Sequence, residues 1–428
     1  MGFFILFIYL IFYLIMPHAW GVNDYNKTLP LTVLTLLIGF LFFLFNREPK
    51  VLSHQLLFLF LLCPTILLSA LTNQWFGGGL ISVQQYLLVA ILPFILLTNF
   101  IKSNEQQKTI MWLCIFSAVI MISNGVSQIN SEDGFGWAGS SLSEGTRITY
   151  IGVLNDPNDL GSFFVLVLPF TFFFSKYGKN IFSRLSSKVS SLLILYGIFL
   201  TNSRGALLAT ITMFGMYFYL RYGKLKSFFL GLIFSPIVFL IMSNFRKIDT
   251  NEESASGRVD AWYEGIEMFK ENPFLGVGMG GFTEHHHLTA HNSFILVIAE
   301  LGSIGYGLWF CFYTLSFYML YSAFSYYNDL LREGKFSALD NEELSASLLI
   351  NNTLFYSFIG YSTSIFFLSR SYNFFTYFIC ALTLSSYLRI VLIEKKIEIK
   401  NITNLSYKLF SLSLLTIFIM YFLVKILI

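Results

Sequence analysis

Residues 51–71 read VLSHQLLFLFLLCPTILLSAL, a run that is almost entirely apolar. A helix rises about 1.5 Å per residue, so roughly 20 such residues cross the ~30 Å hydrocarbon core of a bilayer. The apolar residues are continuous and do not alternate with polar ones, which disfavours a transmembrane β-strand. This stretch therefore predicts a membrane-spanning α-helix.

Similar runs recur along the whole chain. Of its 428 residues, 55% are hydrophobic and only 12% are charged, whereas soluble domains carry roughly 25% charged residues. We therefore predict an all-α polytopic membrane protein, one integral membrane domain over residues 1–428 with about 12–13 transmembrane helices. The first run is shorter than usual for a span. The predicted spans are 2–16, 29–45, 51–71, 80–101, 109–129, 158–175, 189–200, 205–220, 225–242, 292–324, 345–368, 372–393 and 405–428.

The basic residues indicate the orientation. About two thirds of the 27 Lys and Arg residues fall in one set of alternate loops, and the positive-inside rule makes that set cytoplasmic. The two longest polar loops, 130–157 and 243–290, are then on the outer face. No Gly-rich phosphate loop occurs on the cytoplasmic side, which argues against a nucleotide-dependent mechanism.

The loop at 243–290 has a predicted helix of its own. Residues 258–270 are amphipathic, with Ser256 or Gly257 as the cap and Asn272-Pro273 as the stop. Such a helix lies on the membrane surface or packs over the helical bundle.

Arg204 interrupts two apolar segments at an outer turn, in Thr201-Asn202-Ser203-Arg204-Gly205. An arginine at membrane depth costs ~2.5–3.5 kcal/mol on insertion scales, so its presence needs a reason. It either snorkels to the interface or faces a cavity that receives an anion.

Arg258 and His291 belong to the second outer loop. Arg258 falls in the first turn of the predicted helix, where a cation opposes the helix dipole. It is either a solvated residue or a ligand for an anion that approaches the helix N-terminus. His291 precedes the span 292–324 and is either a cap or a general base.

Two arginines and a histidine on one face of the membrane suit a lipid-embedded substrate with a diphosphate leaving group. The cations would neutralise charge on the departing phosphate, and the imidazole of His291 would deprotonate an incoming hydroxyl. The run His285-His286-His287 lacks a zinc-type ligand spacing, so we predict no metal site.

The four cysteines lie inside apolar runs, with neither metal-ligand spacing nor a disulfide pattern. We predict that they are small buried side chains. They are Cys63, Cys114, Cys311 and Cys380.

Four motifs follow one another within residues 155–305. They are Ser203-Arg204-Gly205-Ala206-Leu207-Leu208, then Ser256-Gly257-Arg258 with Trp262, then Asn272-Pro273-Phe274-Leu275-Gly276-Val277-Gly278, and finally His291-Asn292 with Gly302-Ser303-Ile304-Gly305. In this order they resemble the O-antigen ligase and O-antigen polymerase superfamily of bacterial polytopic membrane proteins. The rest of the chain resembles that superfamily only in its hydrophobic layout.

The resemblance implies a type C glycosyltransferase-like fold in the bacterial inner membrane, with its active site facing the periplasm. It implies transfer of a glycan from undecaprenyl pyrophosphate to an acceptor hydroxyl, without a metal or other cofactor. Arg204 and Arg258 match the residues that bind pyrophosphate, and His291 matches the catalytic base. The acceptor would be lipid A-core in a ligase or the growing glycan in a polymerase; the motifs fit the ligase pattern well.

The other expected partners are membrane lipids. The net charge of +3 is explained by the cytoplasmic loops and does not indicate nucleic acid. A transporter or flippase is a more distant alternative. It would predict inverted repeats and ionisable residues near the middle of the bilayer, and no internal repeat is evident.

Four further residues are candidate substrate ligands. Arg147 and Arg370 lie on the outer side, with interface anchoring as the alternative. Asn158 and Asp159 open a span within Asn155-Asp156-Pro157-Asn158-Asp159, where helix capping is the alternative. Glu300 is about two and a half turns beyond His291 on the same predicted helix, too far to orient it directly.

Overall fold

The computed structural model describes residues 1–21, 30–233 and 253–427. Of this structure, 79% is helical, and the described residues contain no strand. The first helices, α1 to α9, are Gly2–Leu14, Leu31–Phe45, His54–Thr72, Phe76–Tyr86, Leu92–Phe100, Asn104–Asn130, Pro157–Tyr177, Ile181–Leu200 and Arg204–Tyr222. A π-helical turn, Leu87–Ile91, joins α4 to α5.

The remaining helices continue to the C-terminal end of the described chain. Helix α10 covers 224–233. Helices α11 to α16 are Glu253–Glu271, Phe282–His285, Ser293–Arg332, Glu342–Phe366, Phe374–Ile393 and Ile402–Leu427.

Nine helical segments among the described residues are long and apolar enough to cross a membrane. The prediction of an all-α polytopic membrane protein is thereby confirmed. Every predicted span except 225–242 coincides with a described helix. The first half of that span lies in α10, and residues 234–242 lie outside the described residues. The span predicted at 189–200 is longer than expected and begins at Ile181.

Short polar side chains begin many of these helices. At each such position a side-chain oxygen accepts a hydrogen bond from a backbone N–H of the first turn, which the helix itself leaves without a partner. These caps are Ser53, Ser103, Asp156, Asn180, Ser203, Asn292 and Asn373.

The chain forms two compact units. Unit 1 contains Met1–Gly39, Ser103–Thr250 and Asn352–Ser364, and unit 2 contains Phe40–Lys102, Asn251–Asn351 and Ile365–Ile428. In unit 1, helix α7 is buried along most of its length and packs against α6, α8 and α9. In unit 2, the long helix α13 packs against α3, α11, α15 and α16. A single domain over residues 1–428 stays a prediction.

Candidate functional site

Arg204 is the first residue of helix α9. Helix α8 ends at Leu200, and the turn that follows places Asn202 in the left-handed region, at φ 48°. The Ser203 hydroxyl then accepts the Ala206 N–H at 3.3 Å and caps α9. Arg204 is half-buried at this turn. The predicted turn between two apolar segments is thus confirmed, and it places Arg204 at a helix N-terminus.

Arg147 and Asn158 support the same turn in unit 1. The Nε of Arg147 donates to the carbonyl of Thr201 at 3.0 Å, and a terminal nitrogen donates to Asn158 Oδ1 at 2.8 Å. The Ser203 hydroxyl donates to that same Oδ1 at 2.9 Å. Charge-assisted bonds of this kind are roughly twice as strong as neutral ones. Arg147 and Asn158 therefore brace the residues on both sides of Asn202.

Asp156, rather than Asn158 or Asp159, is the cap of α7. Its carboxylate accepts the N–H groups of Asn158 and Asp159 at 2.7 and 3.2 Å. Asp159 is buried, with 5% of its surface exposed. A Cβ at Gly161 would lie 2.8 Å from that of Ala206, so α7 approaches the start of α9 closely.

In unit 2, the helix that carries Arg258 differs from its prediction. Helix α11 is already helical at Glu253, so Ser256 and Gly257 lie inside it and neither is its cap. The predicted start at 258 is wrong because Ser and Gly are weak local signals that tertiary packing overrides. The dipole effect is confined to the first turn. The positive end of the helix dipole therefore acts on Arg204 and not on Arg258, which is half-buried in a later turn.

The other features predicted for this helix are confirmed. It ends at Glu271, immediately before Asn272-Pro273. Its apolar face packs on α13 and α16, with Ala261, Ile266 and Met268 buried in one core cluster. Of the two predicted placements, the structure therefore shows packing over neighbouring helices.

Helix α13 is broken at Gly302, and residues 273–278 repair the break. Gly302 has φ 63° and ψ −164°, a conformation open essentially only to glycine. On one side of the break, the N–H groups of Ser303 and Ile304 donate to the carbonyls of Pro273 and Phe274 at 2.9 and 3.3 Å.

On the other side of the break, two carbonyls of α13 find donors in the same crossing segment. Ala299 accepts from the Val277 N–H at 3.0 Å, and Glu300 accepts from the Gly278 N–H at 2.9 Å. A Cβ at Gly276 would lie 2.4 Å from the carbonyl carbon of Glu300. The glycines predicted to allow a close backbone approach do so here. Irregular backbone in a spanning segment is tolerated only where such partners are supplied.

His291 lies at the start of α13, as the sequence predicts. Its backbone is left-handed, at φ 46°, a conformation that costs a residue other than glycine about 1–3 kcal/mol and that clusters at functional sites. Asn292 follows as the cap and accepts the N–H groups of Phe294 and Ile295 at 2.9 and 3.1 Å. His291 is half-buried, on a backbone held by a capped helix.

Arg370 lies in a loop bound to the first residue of the same helix. The Ser293 hydroxyl donates to the Leu368 carbonyl at 2.6 Å and accepts the Arg370 N–H at 2.8 Å. The Ser371 hydroxyl donates back to the Ser293 carbonyl at 2.6 Å. These bonds hold the Arg370 loop against Ser293, which lies close to His291 in the chain.

The histidine run connects the loop before His291 to α11. His286 Nε2 is 3.2 Å from Asp260 Oδ2, and its pKa is raised: burial lowers it, but the Leu288 carbonyl and the Asp260 carboxylate raise it more. His285 Nδ1 is 3.0 Å from the Gly281 carbonyl. Among the described residues, no group of three or more His, Cys, Asp and Glu side chains could hold a metal ion.

Each unit therefore presents its own part of the predicted site. Unit 1 brings Arg147, Asn158 and Ser203 together beside Arg204. Unit 2 links the loops of His291 and Arg370 through Ser293. In the same unit, Gly257, next to Arg258, lies close to Leu288 in the loop before His291. Sequence reasoning missed the supporting roles of Ser203 and Ser293. The signal for both was a short polar residue at a helix start.

The fold and these residues define an all-α polytopic membrane protein with arginines and a histidine at helix starts and in loops. Residues 189–310 match the family model Wzy_C, described as O-antigen ligase. This region contains Arg204, Arg258 and His291, and the resemblance to the O-antigen ligase and polymerase superfamily is thereby confirmed. The family implies a membrane glycosyltransferase-like enzyme that acts on lipid-linked glycan and a glycan acceptor. No curated protein gives a match to the chain.

Proposed function

We propose that the protein transfers a glycan from undecaprenyl pyrophosphate to an acceptor hydroxyl at the periplasmic face of the bacterial inner membrane. We further propose that the acceptor is lipid A-core, which makes the activity that of an O-antigen ligase. The observation that carries the proposal is the match of residues 189–310 to the O-antigen ligase family, a region that holds both arginines and the histidine.

In the proposed reaction, the acceptor oxygen bonds to the anomeric carbon of the first sugar. The bond between that carbon and the pyrophosphate oxygen breaks, and its electron pair leaves with undecaprenyl pyrophosphate. His291 takes the proton of the acceptor hydroxyl, a contribution of typically 10²–10⁴-fold for a general base. Arg204 and Arg258 stabilise the charge that develops on the leaving phosphate.

Local geometry supports these roles. Arg204 is the first residue of a helix of 19 residues, and a helix N-terminus with free N–H groups and a positive dipole end favours phosphate. A guanidinium there adds two parallel donors for phosphate oxygens. A cation in the first turn is otherwise unfavourable, and a bound anionic ligand would offset that cost.

His291 has similar support. A left-handed residue precedes the capped helix in both cases, Asn202 before Ser203 in unit 1 and His291 before Asn292 in unit 2. Side chains that react must be held by rigid elements to keep a productive geometry. The capped first segment of α13, before the break at Gly302, provides that support to His291.

The test of the ligase assignment is a deletion strain whose surface glycan and lipid-linked glycan are both resolved by gel. We expect the loss of long-chain glycan from lipid A-core while lipid-linked polymer accumulates. A single repeat unit left on core would show a polymerase instead. Normal surface glycan and normal lipid-linked glycan in the deletion strain would contradict both the ligase and the polymerase assignment.

The test of the site is complementation of that strain with Arg204→Ala and Arg258→Ala at native expression. We expect each protein to insert normally and to lose glycan transfer. Transfer by purified enzyme should also persist in EDTA, since no metal takes part in the proposed reaction. Normal surface glycan with either variant would contradict the role of that arginine.

A further inference from the structure

Glu300 connects helix α13 to the loop that precedes His291. The side chain is buried, with 3% of its surface exposed, and its Oε1 accepts the Phe282 N–H at 3.4 Å. Its backbone carbonyl accepts the Gly278 N–H at 2.9 Å and the Ser69 hydroxyl at 3.1 Å. The loop is therefore attached to one residue of α13 at two points.

Phe282 fixes the course of the chain toward His291. Its ring is buried in the core cluster of unit 2 together with Ala290, Ile295 and Ala299. Phe282 is also the first residue of the short helix α12. A bond that holds its N–H thus helps to set where the chain leaves the core before it reaches Ala290 and His291.

The second carboxylate oxygen of Glu300 lies near Tyr372. Glu300 Oε2 and the Tyr372 hydroxyl are both buried, and neither makes a hydrogen bond to any residue that the structure describes. Tyr372 packs against the same core cluster as Phe282. The Glu300 carboxyl group is a neighbour of the Tyr372 hydroxyl. Tyr372 directly follows Ser371 in the Arg370 loop. The Ser371 hydroxyl bonds to the carbonyl of Ser293 in α13.

We propose that Glu300 is a positioning residue that holds the 278–290 loop on α13, so that the backbone before His291 keeps its observed course. The effect on catalysis rests on the proposed function, whereas the effect on the loop does not. The side chain acts at Phe282, well before His291 in the chain, so it needs no direct contact with the imidazole.

The loop can be followed without any assay of transfer. Ala290 is fully buried, so Ala290→Cys places a protected thiol directly beside His291, and the native cysteines are buried or half-buried. The rate of maleimide labelling of full-length protein in detergent then reports local opening of the loop. Protein without Ala290→Cys gives the background rate.

We expect Glu300→Ala to raise the labelling rate about tenfold or more, since it leaves the Phe282 N–H without its acceptor. Glu300→Gln should label within about twofold of the parent, because its amide oxygen still accepts that bond. Glu300→Asp retains the carboxyl group but is shorter, so it should resemble Glu300→Ala. It decides the matter if Glu300→Ala fails to fold. An unchanged rate in Glu300→Ala or Glu300→Asp, or a rate in Glu300→Gln as high as theirs, would overturn the proposal.

Transfer kinetics separate this proposal from the proposed function. With Glu300→Asp we expect kcat to fall about tenfold or more while the KM for the lipid-linked donor changes less than twofold. The reason is that Glu300 is buried and acts on the loop rather than on the donor in this proposal. A fall in kcat that Glu300→Gln does not rescue would count against the positioning role. If His291→Ala retained transfer, the proposed catalytic role would fail, and the labelling result would still decide how the loop is held.

Discussion

The hydroxyl of Ser293 accepts a hydrogen bond from the backbone N–H of Arg370 at 2.8 Å. The same hydroxyl donates to the Leu368 carbonyl at 2.6 Å. Ser293 is fully buried. A single side chain at the start of α13 thus satisfies two backbone groups of the loop that carries Arg370. The position of that guanidinium depends on the helix that follows His291.

Ser293→Ala tests this dependence. Loss of the hydroxyl removes both of its bonds and leaves the Arg370 N–H and the Leu368 carbonyl with the bond they make to each other at 3.1 Å. A net loss of about 0.5–1.5 kcal/mol is expected for each bond removed. We expect a lower thermal midpoint and, with Arg370 as a substrate ligand, a raised KM for the donor. Arg370→Gln should raise the same KM without the loss of stability.

Ser411→Ala is the matched control. Its hydroxyl donates to the Tyr407 carbonyl within its own helix at 3.0 Å and is exposed, so its removal should change stability by no more than about 0.5 kcal/mol. If Ser293→Ala and Ser411→Ala had the same thermal midpoint, the Ser293 hydroxyl could not be what holds the Arg370 loop.

His291→Asn separates the catalytic role of the imidazole from the backbone conformation of the residue. Asparagine tolerates the left-handed region, so the variant should fold like the parent, whereas His291→Ala adds strain at φ 46°. We expect both variants to lose transfer by about 10²–10⁴-fold. His287→Asn, at an exposed position of the same loop, should leave transfer within about twofold. Transfer by His291→Asn at the parent rate would exclude the histidine as the base.

Asn158 is expected to act through Arg204 rather than by direct catalysis. Asn158→Ala removes the oxygen that accepts from both Arg147 and Ser203, at about 1–3 kcal/mol for the groups left unsatisfied. Asn158→Asp retains that acceptor and places a negative charge beside Arg147. We expect Asn158→Ala to lower both the thermal midpoint and transfer, and Asn158→Asp to retain most of each. Equal losses in the two variants would indicate that the amide nitrogen is what matters.

More of the fold than of the site could be predicted from the sequence. Apolar runs identify spans because length and hydropathy are local properties. The turn at Arg204 was found in the same way, as an interruption between two such runs. The break at Gly302 was not predicted, although the glycine was noted. It depends on residues 273–278, which must cross α13 and supply donors and acceptors to it. The bonds between Asn158 and Arg147 likewise join separate segments, which no local pattern reports.

The pairing of His286 with Asp260 predicts a pH-dependent stability. Burial lowers the pKa of His286, but the Leu288 carbonyl and then Asp260 raise it above the ordinary value of 6.5. The folded state therefore holds the proton more tightly than the unfolded one. This contribution is fully present below pH 6.5 and is lost as the pH rises through the raised pKa. The measurement is the thermal midpoint of parent and Asp260→Asn across that range.

We expect the difference between parent and Asp260→Asn to be largest on the acidic side and to vanish on the alkaline side. Glu284→Gln removes an exposed carboxylate from the loop that carries His286. Its effect on the thermal midpoint should not depend on pH. A difference that is independent of pH would mean that Asp260 acts through something other than the charge of His286.

Gly302→Ala tests whether the break in α13 is required by the fold. A Cβ at this position would lie 2.4 Å from the Phe274 carbonyl carbon and 2.5 Å from the Leu275 nitrogen. Both are backbone atoms of the segment that supplies hydrogen bonds to α13, so neither can move without loss of those bonds. The conformation itself, at φ 63°, adds a cost of about 1–3 kcal/mol for any other residue. We expect little folded protein, measured as the monodisperse fraction after detergent extraction.

Gly215→Ala is the control, since a Cβ there meets nothing within 4 Å and alanine stabilises a helix by about 0.5–1 kcal/mol relative to glycine. A Gly302→Ala protein as stable as Gly215→Ala would show that α13 can be straight, and that residues 273–278 do not need to cross it.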